Sequence, residues 1–314
     1  MTASTPALRR TREITERNAL TNRRIDWLGI SFQILLLLTL LVIIGFLFQL
    51  IITVVSDGWG VYRERGTGFL TDNLSTFPER AGIAQPIRGS LMTALFVVVL
   101  AIPLGIATAV YLEEYAKPGR VTNFVNLNIR NLAGVPSVVY GLLGLAVFVE
   151  FLEPITKGRT VLAGGLTLSV VVLPIVIITS AEAIRAVPRS LREGGLGLGG
   201  TQSDVTKKLV LPSALPGILT GTVLSVSRAL GETAPLLLAG AFYGTFFTAG
   251  RGSFVDQLQG AYATLPVQIY SWAGEVRTEF TRDLTAAAII ALLVITTVLN
   301  LFAILLRNRS DKRW

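Results

Sequence analysis

The chain has 314 residues, 51% of them apolar and only 15% charged, and its formal net charge is +8. Soluble domains run nearer a quarter charged, and here the charges cluster, leaving long stretches with none, which a water-exposed surface does not do. With no cysteine and no histidine, disulfides, thiol nucleophiles, zinc sites and imidazole acid–base chemistry are excluded together.

The excess of basic residues does not point to nucleic acid, because no basic stripe is interleaved with aromatics. In a chain this apolar, lysine and arginine bracket membrane spans on the cytoplasmic side. Residues 1–26 are polar and arginine-rich and read as a cytoplasmic basic arm. Crossing about 30 Å of hydrocarbon takes roughly 20 apolar residues, which predicts a first transmembrane helix over Trp27–Ser56. That run is far longer than the apolar core of a signal peptide, and no small-x-small cleavage site follows it. An external loop, 57–88, comes next.

Residues 89–306 form the expected transmembrane core. Its uncharged runs are Gly89–Leu112, Asn131–Val149, Thr160–Ala181 and Leu284–Leu306, with a longer run, Leu209–Gly250, broken only by Arg228 and Glu232. A cytoplasmic tail, 307–314, closes the chain. The expected fold class is all-α: a polytopic integral membrane protein with about six transmembrane helices and both termini on one side. Placing the termini inside gives the inner segments 18 of the 28 lysines and arginines and the outer segments 9, with Arg228 within a span. This bias puts both termini in the cytoplasm. A second external loop, 245–283, carries Phe246, Phe247, Phe254, Tyr262, Tyr270 and Trp272. It suits a segment lying at the membrane–water interface, with contact to an external partner protein as the alternative.

The inner loop 182–211 is longer than a turn requires, so it is expected to have structure of its own. Thr201-Gln202-Ser203-Asp204 fits a capping box that opens a helix running into the fifth span. Gly195, Gly197 and Gly200 spell G-x-G-x-x-G, but a span precedes and another follows, so the dinucleotide reading is rejected. No G-x-x-x-x-G-K-[ST] occurs in the sequence, so the chain has no P-loop with which to hydrolyse ATP. The run Glu193-x5-Gly199-x9-Leu209-x-Leu211-Pro212 resembles the "EAA" loop of ABC-importer membrane subunits. That resemblance implies a type I importer fold, with short cytoplasmic coupling helices docking into a cleft of a separate ATPase through Glu193, Gly199, Leu211 and Pro212. Where the family pattern has two alanines this chain has Gly194 and Gly195, which cost about 1 kcal/mol each in helix stability.

Arg228 and Glu232 follow Pro212 by 16 and 20 residues, about 24–30 Å if helical, which predicts the outer half of the membrane. Their i,i+4 spacing lets them meet on one helix face. A charge at such depth costs at least about 2.5–3.5 kcal/mol, so the pair must face protein or a water-filled cavity. One reading is a structural ion pair. The other is that Arg228 lines the substrate path, since a guanidinium binds a tetrahedral oxyanion in bidentate fashion and never deprotonates. Glu232 would hold it and moderate its charge, so that the anion can leave.

The string Arg228-Ala229-Leu230-Gly231-Glu232-Thr233-Ala234-Pro235-Leu236-Leu237 closely resembles the signature of the PstA-type phosphate permeases. Asn131-Leu132-Ala133-Gly134-Val135-Pro136-Ser137-Val138-Val139-Tyr140-Gly141-Leu142-Leu143 and Leu265-Pro266-Val267-Gln268-Ile269-Tyr270 are similar to that family too. The resemblance implies a path through Arg228, Glu232 and Thr233, and a heterodimer with a PstC-like permease. It also implies an ATPase dimer and an external phosphate-binding protein. No cofactor is expected on this chain; ATP and magnesium would be used by the ATPase. The chain itself is expected to be a transporter subunit and not an enzyme, in the inner or plasma membrane of a prokaryote. Permeases for molybdate, sulfate or phosphonate, a lone ion-coupled secondary transporter, and a phosphate-sensing scaffold are the competing readings.

Overall fold

A computed structural model describes residues 27–241 and 253–310. The basic arm, Phe246 and Phe247 of the last loop and the end of the C-terminal tail lie outside them. No strand occurs among the described residues. The helices used below are α1 (Trp27–Arg65), α2 (Ala84–Tyr115), α3 (Arg120–Ala133), α4 (Ser137–Phe151), α5 (Val161–Arg185), α6 (Arg189–Gly197), α7 (Gln202–Gly231), α8 (Ala234–Leu238), α9 (Leu265–Ala273) and α10 (Thr285–Ser310). α1, α2, α5, α7 and the helix Glu279–Leu305, which contains most of α10, are each long and apolar enough to cross a membrane. The pair α3 and α4, bent by 99° at the break between them, gives a sixth span if counted as one.

The chain divides into two units, Met1–Thr53 and Val54–Trp314. The described part of the first is the start of α1, whose leucine, isoleucine and phenylalanine side chains are exposed all round, as in a helix that meets hydrocarbon on every side. Everything below concerns the second unit.

α5 is the central helix and packs against α2, α4 and α7. It has the largest buried share of any span, and small residues let its neighbours approach closely, as membrane helix contacts require. A Cβ on Gly105 of α2 would lie 2.6 Å from Val176 Cγ1 of α5, and one on Gly144 of α4 would lie 2.3 Å from Thr167 Oγ1. α10 joins through α7, where Ser227 donates to the Asn300 side chain and Arg307 to Thr220 Oγ1 at 3.3 Å.

Three expectations change. α1 does not end at Ser56 but continues to Arg65, because its last turns are held by protein. Tyr62 donates to the Ala287 carbonyl at 2.7 Å, and Asp57 pairs with Arg282 at 2.7 Å. The third run, Asn131–Val149, is not one straight helix. α3 stops at Ala133, and the residue before Pro136 is pushed out of helical geometry by the proline ring. The fifth run, Leu209–Gly250, is not one helix either. α7 ends at Gly231 because Pro235 has no N–H to give and its ring would clash with the carbonyl four residues back; the chain resumes as α8.

The loop 57–88 folds around one arginine. Arg65 donates to the carbonyls of Pro78 at 3.2 Å and Ala81 at 2.7 Å and pairs with Asp72 at 3.2 Å. Beneath it Phe69, Leu74 and Ile83 share a buried cluster with Ala263, Leu265, Trp272 and Phe280. The described parts of the two long loops therefore form a single cap at the end of the bundle opposite α6. This corrects the interfacial reading of the aromatic loop in part. Tyr262 and Trp272 are interior, and Tyr270 is exposed. Gly164 makes the room, since a Cβ there would fall 1.9 Å from the Tyr262 hydroxyl. Burial pushes the ionisation of that phenol far up, so it is neutral.

Candidate functional site

The predicted residues fall into two groups at different levels of the bundle. Leu211 and Arg228 lie on the same helix, about 25 Å apart at 1.5 Å per residue. Glu193 and Gly199 lie beyond the Leu211 end.

α6 is a short helix started by Pro188 and stopped by glycine. Gly199 has φ +84°, a left-handed conformation that costs any other L-residue about 1–2 kcal/mol. The amide of Gly200 donates to the Gly195 carbonyl and that of Gly199 to the Leu196 carbonyl. This is the Schellman arrangement that satisfies the last carbonyls of a helix. The turn leads into Thr201, whose hydroxyl oxygen accepts the Asp204 amide at 3.2 Å and so opens α7, as expected. Gly195 is needed for a different reason: a Cβ there would meet Leu209 Cδ1 at 2.7 Å and Val205 Cγ2 at 2.8 Å. α6 thus lies tightly on the first turns of α7. A Cβ on Gly194 would meet nothing. The outward face of α6 carries Glu193 and Leu196, and Leu198, the residue just past its end, is 92% exposed. Leu211 packs partly into the core beneath, among Ala109, Ile177 and Ile184, and Pro212 is tolerated because it lies in the first turn after the π-wound segment Thr206–Val210.

The second group forms at the break after α7. Arg228 Nε donates to Glu232 Oε1 at 3.2 Å, so the pair meets as expected. Glu232, however, is not on the helix. It is the capping residue beyond Gly231, with extended backbone. Arg228 is 59% exposed and Glu232 13%. The two terminal nitrogens of Arg228 have no partner among the described residues. Thr233 starts α8 without using its hydroxyl as a cap. α8 in turn packs on α4, where a Cβ on Gly141 would lie 2.8 Å from Pro235 Cα. The two sequence strings, one around Gly141 and one around Pro235, are therefore in direct contact.

The depth of Arg228 differs from expectation. A Cβ on Gly217 would meet Ala183 and one on Gly221 would meet Thr179, which sets the antiparallel register of α7 on α5. Seven residues further along each helix, Arg228 comes level with Val172, near the middle of α5 and not in its outer half. By the same register Pro212 comes level with Pro188, past the end of α5 at Arg185, so a count started at Pro212 places Arg228 further out than its level on α5.

Four charged residues escaped the sequence reading. Arg185 holds Glu113 through two bonds of 3.1 and 2.6 Å, and Arg192 holds Glu114 at 3.0 and 2.8 Å. The adjacent carboxylates closing the second apolar run were the available signal.

The sequence pattern of the "Binding-protein-dependent transport system inner membrane component" family matches residues 101–314. Among curated relatives, "Phosphate transport system permease protein PstA 1" of Mycobacterium tuberculosis is 32% identical over 83% of this chain and 82% of its own length. "Phosphate transport system permease protein PstC" of Mesorhizobium japonicum is 29% identical over 73% and 75%. Among solved structures, a bacterial ABC transporter involved in the import of the acidic polysaccharide alginate superposes with a TM-score of 0.60. It covers 96% of this chain and 100% of its own at 16% identity. The MetNI methionine ABC transporter in an inward-facing conformation gives a TM-score of 0.52 over 74% of this chain and 95% of its own; both likenesses speak for the fold. The chain belongs to the family of inner membrane components of binding-protein-dependent transport systems, as a permease subunit of an ABC importer.

Proposed function

We propose that the chain is one of two permease subunits of an ATP-driven importer of inorganic phosphate. The observation that supports phosphate most directly is Arg228. It stands at mid-depth beside a helix break, tethered to Glu232 by Nε alone and exposed on its remaining edge. Two parallel N–H groups on a permanent cation match two oxygens of a tetrahedral oxyanion. Glu232 lowers the net charge the anion meets, which keeps binding weak enough for release, and Thr233 follows it at the start of α8 with its hydroxyl not used as a cap. The similarity to phosphate permeases over most of the chain supports the same substrate.

The remaining parts follow from this reading. A PstC-like permease supplies the other half of the path and covers the exposed side of Arg228. An external phosphate-binding protein docks on the cap formed by the two long loops. A cytoplasmic ATPase dimer, using ATP and magnesium, receives α6 through Glu193, Leu196 and Leu198, with Gly199, Leu211 and Pro212 shaping that element. Both termini then lie in the cytoplasm, and this chain performs no covalent chemistry on phosphate.

Radiolabelled phosphate uptake in cells lacking and regaining this gene tests the substrate. Uptake should return with the gene, be competed by arsenate, and be indifferent to sulfate and molybdate. Restored transport of sulfate or molybdate without phosphate would assign a different oxyanion.

A further inference from the structure

We propose that Glu114 and Arg192, backed by Glu113 and Arg185, are positioning residues that make α6 and the adjoining end of α2 move as one body. The inference rests on the reading of α6 as the element that receives an ATPase.

Arg192 makes four hydrogen bonds to its surroundings. Nε and Nη2 donate to Glu114 Oε1 at 3.0 and 2.8 Å, Nη1 to the Val187 carbonyl at 2.7 Å, and Nη2 also to the Ile184 carbonyl at 2.8 Å. One guanidinium on α6 thereby joins the end of α5 and the end of α2. The Glu114 side chain is 7% exposed and that of Arg192 22%, so water screens the pair far less than it screens a surface ion pair. Arg185 repeats the link from α5 to α2 through Glu113, and the Gln202 amide donates to the Glu114 carbonyl from α7. The last turn of α2, Tyr111–Tyr115, is itself π-wound, a local widening common at functional sites.

The attachments of α6 divide into two kinds. Toward α7 it is held by van der Waals packing at Gly195, on the helix that leads to Arg228. Toward α2 it is held by charge. A displacement of α6 that reached only α7 would leave the second wall of the bundle behind. The Arg192–Glu114 pair carries the same displacement into α2, which lies along α5 through most of its length. Breaking one member of such a pair leaves the other uncompensated, so the link resists separation when α6 is pulled.

The absence of cysteine from the sequence makes the test direct. Spin labels on Leu95→Cys of α2 and Ser190→Cys of α6, both exposed positions, in the purified complex with its partner subunits, report the distance between the two helices by electron–electron dipolar spectroscopy. The intact pair should give one narrow distribution. Glu114→Gln, nearly isosteric and still able to accept a hydrogen bond, should broaden or split it. Arg192→Lys, which keeps the charge but cannot bridge three groups, should do the same. In vesicles, phosphate taken up per ATP hydrolysed should fall about ten-fold, within the usual range of coupling energies, while hydrolysis persists. An unchanged distribution, or uptake and hydrolysis falling in equal proportion, overturns the clamp. Wild-type complex that hydrolyses no ATP would instead overturn the importer reading, and the distance measurement would still decide on the clamp.

Discussion

Gly194, Gly195 and Gly199 lie within six residues of one another, yet alanine should act differently at each. At Gly194 a Cβ meets nothing, so alanine removes the backbone entropy cost of glycine and stabilises α6 by about 1 kcal/mol. At Gly195 the same gain is offset by a Cβ set 2.7 Å from Leu209 Cδ1 and 2.8 Å from Val205 Cγ2. Overpacking of that kind costs about 1–3 kcal/mol, so the net effect is neutral to about 2 kcal/mol unfavourable. At Gly199 space is open, but φ +84° imposes a left-handed cost of about 1–2 kcal/mol and weakens the Schellman turn. Hydrogen exchange of the peptide covering residues 189–199, followed by mass spectrometry on the detergent-solubilised complex, reads all three. Gly194→Ala should raise protection about five-fold, the equivalent of 1 kcal/mol. Gly199→Ala should lower it, and Gly195→Ala should leave it unchanged or lower it. Three alanines acting alike, or a loss of protection at Gly194, would refute the reasoning.

Three further outcomes are expected. Arg228→Lys retains the charge but loses the paired donors; at about 1.5–3 kcal/mol for hydrogen bonds to a charged group, half-saturation for phosphate should rise at least ten-fold in initial-rate uptake assays. Arg65→Ala removes bonds to two carbonyls and to Asp72 and should loosen the cap by about 2–3 kcal/mol. New protease cleavage between residues 66 and 83 of the purified protein would report it. Gly141→Val places a Cβ 2.8 Å from Pro235 Cα, where backbone cannot yield as a side chain can. Thermal unfolding in detergent should move to lower temperature, and uptake should fall while the protein still inserts.

Much of the fold was legible because hydrocarbon permits so few solutions: the described part of every long apolar run is mainly helical. What the sequence concealed lay at prolines and charges. Asn131–Val149 reads as one uncharged run, and only Pro136 signals the 99° break. Leu209–Gly250 likewise reads as one run, and Pro235 ends α7 four residues before the ring itself. The depth of Arg228 was counted from Pro212, but the register of α7 on α5 leaves Pro212 beyond the end of α5, and no side-chain pattern announces that overhang. Glu193, Gly199 and Pro212 were singled out because their run resembles the "EAA" loop of importer membrane subunits. Glu113 and Glu114 were not, because their partners Arg185 and Arg192 are more than seventy residues away and only the packing of α2 on α5 brings them together. The folding of residues 66–83 over Arg65 was equally hidden, since it depends on backbone carbonyls, which no side-chain pattern encodes.

On the proposed reading, this chain forms half of an ATP-driven phosphate path in which Arg228 meets the anion. The most direct measurement is phosphate accumulation in vesicles holding the chain with its partner permease, ATPase and binding protein, comparing wild type with Arg228→Gln. Wild type should accumulate phosphate only when ATP and magnesium are supplied on the ATPase side. Arg228→Gln should assemble and hydrolyse ATP but accumulate little phosphate. Accumulation by Arg228→Gln at the wild-type rate, or by wild type without ATP, would contradict the account.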